Sequence, residues 1–275
     1  MRAPIDAAVR GSTMVDMSTI DLEAAEVLIT GGSEGIGKGL ARHFLGAGAR
    51  VLITGRNDDR LRRAAADLPG VLTFRSDIGV VSEREALAAQ LQEALPKLNV
   101  VIQNAGIQRR VSLAEDQAPW PERQAEIDAL LCGPIHLNHL LVPRLLAQGR
   151  PSLIVNVTSG GAFLPQPFAP VYSACKAALH SYTVNLRYAL VGTPCRVVEL
   201  IPPAVATSLA GAGATHGVPL EQFVDSAFGA LAAGEADEIG FGMTATEPFD
   251  EAKATYRTMF EQFATRWPVR KYAGG

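Results

Sequence analysis

The sequence predicts an α/β fold in which a doubly wound sheet of parallel strands carries helices on both faces. Three observations predict it. Short apolar, β-branched runs alternate along the chain with longer segments whose apolar residues recur at the helical period. The runs end in turns rich in glycine, asparagine and hydroxyl residues, where such sheets bind ligands. The chain has 275 residues, 48% of them hydrophobic and 19% charged, enough for one sizeable core and unlike a disordered composition.

Composition also excludes function classes. A net charge of −3 gives no basic footprint for nucleic acid. No apolar run reaches about 18 residues, so no membrane span is expected. The first 26 residues lack the apolar centre of a signal peptide. Cys132, Cys175 and Cys195 are scattered and odd in number, which fits reduced cytoplasmic thiols and no metal site. Residues 1–22 read as a flexible leader, with Met14 and Met17 as alternative starts, and residues 23–275 as a single domain. There is no internal repeat or linker.

In chain order, residues 26–30 form a buried-strand run. It meets Gly31-Gly-Ser33-Glu-Gly35-Ile36-Gly37, after which Leu40, Ala41, Phe44 and Leu45 have helical spacing. Strand, glycine turn and helix are the setting of a dinucleotide loop. The glycines let backbone approach a pyrophosphate, and the helix start offers it free N–H groups. Residues 49–55 are the second strand. An acid at its end would suit a ribose 2′-hydroxyl, whereas Arg56 suits a 2′-phosphate. That favours NADP(H) over NAD(H), with Glu34 a weak repulsion against it and a solvated turn the plain alternative for Arg56.

Residues 71–78 are the third strand. Asp77 at its end is a candidate adenine contact, and equally a turn cap. Residues 82–95 are helical, with Ser82 and Glu85 spaced as a capping box. The fourth strand, from Val100, ends in Asn104-Ala105-Gly106. Residues 107–121 form a loop at the substrate mouth, with Arg109 and Arg110 as exposed charges rather than an acid-binding pair. Residues 122–146 are a long helix broken near Gly133-Pro134. Residues 152–159 are strand five, 170–191 a helix, and 196–201 strand six. Residues 208–218 are a mobile cover, 220–233 a helix, 238–241 strand seven, and 249–265 a helix before a surface tail.

The chemistry concentrates in two of these elements. Strand five ends at Ser159, and the helix after it carries Tyr172 and Lys176. Four residues apart, these two project from one helix face. A free phenol titrates near pH 10. An ammonium about 5 Å away, at an effective dielectric of about 20, contributes roughly 3 kcal/mol, or about two pK units. This predicts that Lys176 draws Tyr172 down towards a working acid/base, with Ser159 hydrogen-bonded to the substrate oxygen. Cys175 points away from Tyr172 and reads as packing.

Thr30-Gly31, Gly35-Ile36-Gly37, Asn104-Ala105-Gly106, and Ser159 with Tyr172 thirteen and Lys176 seventeen positions later together resemble the short-chain dehydrogenase/reductase family. The match runs from about residue 26 to 241. The resemblance implies a Rossmann fold with a seven-stranded parallel sheet, an NAD(P)(H) cofactor, and hydride transfer between nicotinamide and a carbonyl/alcohol carbon of a small molecule. It implies Tyr172 as general acid/base, Ser159 orienting the substrate oxygen, and Lys176 lowering the Tyr172 pKa and holding the nicotinamide ribose. The implied cofactor set is Gly31, Ser33, Gly35, Ile36, Gly37, Arg56, Asp77, Ile78, Asn104, Ala105, Gly106, Val205 and Thr207, with Tyr172 and Lys176. It also implies a homodimer or homotetramer.

Two positions depart from the family pattern. Leu130 stands where members carry an asparagine that helps relay protons to the lysine, so the relay is altered or uses another group such as Asp128. Pro203 stands where glycine is common, which stiffens the exit from strand six. Leu130 motivates a second reading, a redox-neutral isomerase, dehydratase or cyclase on the same scaffold. A nucleotide-sensing protein without turnover is a third, disfavoured by the intact Ser159, Tyr172 and Lys176.

Overall fold

Seven parallel strands form one sheet in the order β3-β2-β1-β4-β5-β6-β7. They are β1 (Glu26–Ile29), β2 (Arg50–Gly55), β3 (Leu72–Arg75), β4 (Leu98–Gln103), β5 (Ser152–Val157), β6 (Cys195–Ile201) and β7 (Glu238–Gly240). The helices are α1 (Gly35–Gly46), α2 (Asp58–Asp67), α3 (Val81–Ala94), α4 (Trp120–Ile127), α5 (Gly133–Ala147), α6 (Pro170–Ala189), α7 (Leu220–Ala233) and α8 (Glu247–Arg266). This computed structural model describes residues 20–210, 217–234 and 236–273. The expected leader lies outside them except for its last three residues, of which Ile20 and Leu22 pack against the core. The expected mobile cover is described only at its ends, where Ser208–Ala210 makes a 3-10 turn and Val218 pairs with Val205. The strand order reverses between β1 and β4, so the crevice between their C-terminal ends is the ligand site of such sheets.

Three elements differ from expectation. The third strand stops at Arg75 because the backbone N–H of Asp77 is taken by the Glu83 carboxylate, 2.6 Å away. The helix after it starts at Val81 with no side-chain cap, so the Ser82–Glu85 box does not form. The long helix breaks before Gly133, in a π turn over Asp128–Cys132. Pro134 has no N–H to give the Leu130 carbonyl, and the Gly133 N–H reaches back to Asp128 instead. The combined run Trp120–Ala147 is long and apolar enough to span a bilayer by length and composition, against the expectation. Its apolar residues Leu130, Leu137, Leu141 and Leu145 are, however, buried in the protein.

Strand residues alternate between faces. On one face, Val27, Ile29, Val51, Ile53, Val100, Ile102, Val155 and Val198 meet α1 and α7 through Leu40, Phe44, Phe223 and Val224. On the other, Leu28, Leu52, Val101, Ile154 and Val197 meet α3, α5 and α6 through Leu87, Leu91, Leu137 and Leu186. One step further along the second face, Gln103, Asn156, Glu199 and Glu238 stand side by side across β4, β5, β6 and β7. A helix group answers each of the four. Gln103 donates to Asn138 at 3.1 Å, and Asn156 to Thr183 at 3.0 Å. Glu199 pairs with His180 at 2.8 Å, and Glu238 with Arg187 at 3.5 Å. Lys176, His180, Thr183 and Arg187 therefore form a polar stripe, at helical spacing, along the side of α6 that faces the sheet.

Candidate active site

The glycine turn lies at the end of β1. Gly31 and Gly35 have φ of 65° and 55°, the left-handed region that favours glycine. A Cβ on Gly31 would sit 2.7 Å from the Ala105 backbone, so the turn and the β4 exit touch. Asn104 ties them together, donating from Nδ2 to the carbonyls of Thr30 and Gly31 at 3.1 and 3.0 Å. The Thr30 hydroxyl accepts from the N–H groups of Asn104 and Ala105. α1 begins at Gly35 with no side-chain cap on its first turn. Above Gly35, a Cβ would meet only Thr207, at 3.4 Å. Free N–H groups, an open glycine cradle and a hydroxyl opposite fit a pyrophosphate.

At the end of β2, Ser33 Oγ lies 3.3 Å from where a Gly55 Cβ would be. Arg56 is exposed and makes no ion pair or hydrogen bond among the described residues. Glu34, the expected repulsion, is ion-paired with Arg60. Asp77 accepts from the Gly79 N–H at 2.9 Å, the turn-cap alternative, while Ile78 is buried beside it. Gly106 faces Leu130, and Val205 is buried in the bridge to Val218. Ile36 is partly buried against the first core face.

Ser159, Tyr172 and Lys176 are all buried, at 8%, 6% and 4% exposure. The Ser159 hydroxyl accepts from the Gly161 N–H at 3.0 Å, capping a short 3-10 turn. The Lys176 ammonium donates to the Val157 carbonyl at 2.6 Å and stands 5.7 Å from the centre of the Tyr172 ring. The expectation that Lys176 lowers the Tyr172 pKa is corrected. Burial raises it, the nearby Ser159 hydroxyl works against that, and the Glu126 carboxylate adds to the rise. The phenol is therefore protonated at neutral pH. Burial pushes Lys176 the other way, down to about 8, and Cys175 and Glu199 oppose that fall.

Leu130 is fully buried in an apolar cluster with Ala169, Tyr172 and Cys175, so it offers no relay. Asp128 is occupied elsewhere, accepting from Gln124 at 2.9 Å and sitting beside Cys132 and Gly79. Burial pushes Cys175 up to about 11, in keeping with a packing role. Arg109 is not a solvated charge. It grips Asp116 through two hydrogen bonds, at 3.0 and 2.8 Å, and Arg123 joins them.

Sequence reasoning missed two buried acids near these side chains. Glu126 on α4 accepts from the Arg109 N–H at 3.0 Å, and burial raises its pKa. Glu199 on β6 is fully buried. A glutamate inside Val-Val-Glu-Leu-Ile, and a histidine four residues after Lys176, were the available signals for the second.

The family profile described as short chain dehydrogenase matches residues 25–216. The chain is 37% identical over 246 residues to an uncharacterized oxidoreductase, DltE, of Bacillus subtilis, covering 87% of this chain and 96% of that protein. A short chain dehydrogenase of Burkholderia cenocepacia solved with NADP aligns with a TM-score of 0.72 at 25% identity, over 91% of this chain and all of that one. Another, of Burkholderia phymatum and solved with NAD, aligns at 0.76 with 21% identity, over 89% and 96%. Other relatives are named as reductases and dehydrogenases. With this sheet order and this match, the chain belongs to the short-chain dehydrogenase/reductase family of oxidoreductases, which act on CH–OH and C=O groups.

Proposed function

We propose that the protein reduces a small-molecule ketone or aldehyde, or oxidises the matching alcohol, with NADP(H) preferred to NAD(H). The observation that carries this reading is the joint burial of Ser159, Tyr172 and Lys176 at the C-terminal end of β5, in a sheet whose β1 end bears the glycine cradle. The bound nicotinamide supplies or accepts the hydride. The protein's own part is proton handling and orientation. Ser159 holds the substrate oxygen, and Tyr172, a protonated phenol, gives it the proton in reduction. Lys176, anchored on the Val157 carbonyl, holds the ribose.

The cofactor set predicted from sequence is proposed for the same roles, with Asp77 and Ile78 beside the adenine, Asn104 to Gly106 behind the cofactor, and Val205 and Thr207 over its amide and pyrophosphate. Arg56, unpaired among the described residues and with no acid at the end of β2, supports the 2′-phosphate preference. Exposed Leu113, Leu164, Phe168 and Leu209, on loops after β4, β5 and β6, suit a substrate with an apolar body. Arg109, held by Asp116, supports no acid-binding role. A homodimer or homotetramer in the cytoplasm goes with this reading, and light scattering measures the former.

The test is turnover of a carbonyl panel with NADPH and NADH. Tyr172→Phe should lose about 10²- to 10⁴-fold in kcat. Arg56→Ala should raise the KM for NADPH and leave that for NADH. Near-wild-type turnover by Tyr172→Phe defeats the acid/base assignment. Because Leu130 closes the usual relay, a redox-neutral conversion is the second reading. Product formed with no change in reduced-nicotinamide absorbance would favour it.

A further inference from the structure

Among the described residues, the buried Lys176 ammonium touches no carboxylate, and the buried Glu199 carboxylate touches no ammonium or guanidinium. Among the described residues, the Lys176 ammonium has one hydrogen-bond partner, the neutral carbonyl of Val157. The Glu199 carboxylate is fully buried, accepts from the Thr158 hydroxyl at 2.6 Å, and meets His180 Nδ1 at 2.8 Å. The other nitrogen of His180, Nε2, is buried with no hydrogen-bond partner among the described residues. It lies among the rings of Phe163 and Tyr256, whose centres are 4.5 and 4.9 Å from the imidazole. An imidazolium would need a partner for that second N–H. The geometry instead suits a neutral ring that donates from Nδ1 and leaves the charge of Glu199 uncompensated.

The anchors of the two charges are adjacent in the chain. Val157, which takes the ammonium, precedes Thr158, which binds the carboxylate. His180 lies one helical turn beyond Lys176 on the same side of α6. We propose, resting on the function above, that Glu199, oriented by Thr158 and His180, is a positioning residue that acts as counter-charge to Lys176 and keeps it an ammonium in the active site.

The other groups nearby do not supply that charge. On β7, Glu238 is taken by Arg187 and Arg257, and Asp237 beside it by Arg196. From α8, Tyr256 offers its ring, and Lys253 pairs with Asp250. On α6, Cys175 is held as the thiol by burial. From α4, Glu126 acts on Tyr172 and Cys175. From the π turn, Cys132 acts on Cys175. Cys175 and then Glu199 favour the charged form of Lys176 against burial, and with Cys175 a thiol the carboxylate of Glu199 is the standing negative charge.

The test compares Glu199→Gln with wild type by following the Lys176 ¹³Cε resonance against pH, assigned with Lys176→Met. This readout needs no turnover, so it stands whether or not the proposed reaction is found. Gln keeps the shape and can still accept from Thr158, but it carries no charge. The expected result is a lower titration midpoint for Lys176, with roughly tenfold less ammonium at a given pH above it. The alkaline limb of kcat/KM for carbonyl reduction should move down with it. His180→Asn, which retains a donor near the Nδ1 position, should leave the midpoint close to wild type. An unchanged midpoint in folded Glu199→Gln overturns the proposal, even if thermal stability falls. Should that variant not fold, Thr158→Val, which removes the hydroxyl that orients the carboxylate, provides the reading: a lowered midpoint supports the proposal and an unchanged one overturns it.

Discussion

Where β1, β4 and β5 meet α1 and α7, the contacts are Ile29, Ile102 and Val155 against Leu40, Phe44 and Phe223. Where the same sheet meets α6, the contacts at its C-terminal end are Asn156 with Thr183, Glu199 with His180, and Lys176 with a strand carbonyl. Apolar contact is non-directional and tolerates small slips. Hydrogen bonds of this length fix both distance and angle. The helix that brings Tyr172 and Lys176 to the site is thus seated by directional bonds. The helices on the opposite face are seated by volume. Catalytic groups lose rate when displaced by about an ångström, so the division puts the stricter packing beneath the chemistry.

Substitutions on the two faces should therefore fail differently. Phe223→Ala, on the apolar face, should cost about 3–5 kcal/mol of stability in denaturant melts. The pH profile of the remaining folded enzyme should not move. Asn156→Leu, on the polar face, strips Asn138 and Thr183 of a partner. It should cost less stability, about 1–3 kcal/mol, but lower kcat at saturating cofactor. Equal kcat in both variants would erase the distinction. The smallest effect is expected with no substitution at all. Lys176, with its pKa depressed to about 8, is an ammonium below that pH and neutral above it. Carbonyl reduction should hold steady below pH 8 and fade as the pH rises through it, as a profile of kcat/KM would show.

The element types were open to reading because each strand and helix writes its own period into a local stretch. Ser159, Tyr172 and Lys176 were likewise marked by spacing along the chain. The row Gln103, Asn156, Glu199 and Glu238 was not, since only register across four strands makes neighbours of residues so far apart. The Tyr172 prediction failed for a related reason. It weighed one charge four residues away but not the desolvation of a phenol at 6% exposure. The partner of Lys176 is a main-chain carbonyl, which side-chain patterns do not reveal. The break in the long helix was foreseen from Gly133-Pro134. Its place one turn earlier follows from the missing N–H of Pro134, whose effect is felt by the carbonyl of Leu130.

The row across β4 to β7 also constrains how this chain can diverge. A valine on the opposite face can drift to isoleucine alone, with a neighbour shifting to make room. Replacing Asn156 or Glu199 alone strands a buried donor or acceptor at a cost in stability, and a matching change in the partner relieves that cost. Descendants of this sequence should vary there in matched couples, and the seat of α6 should be inherited as a block.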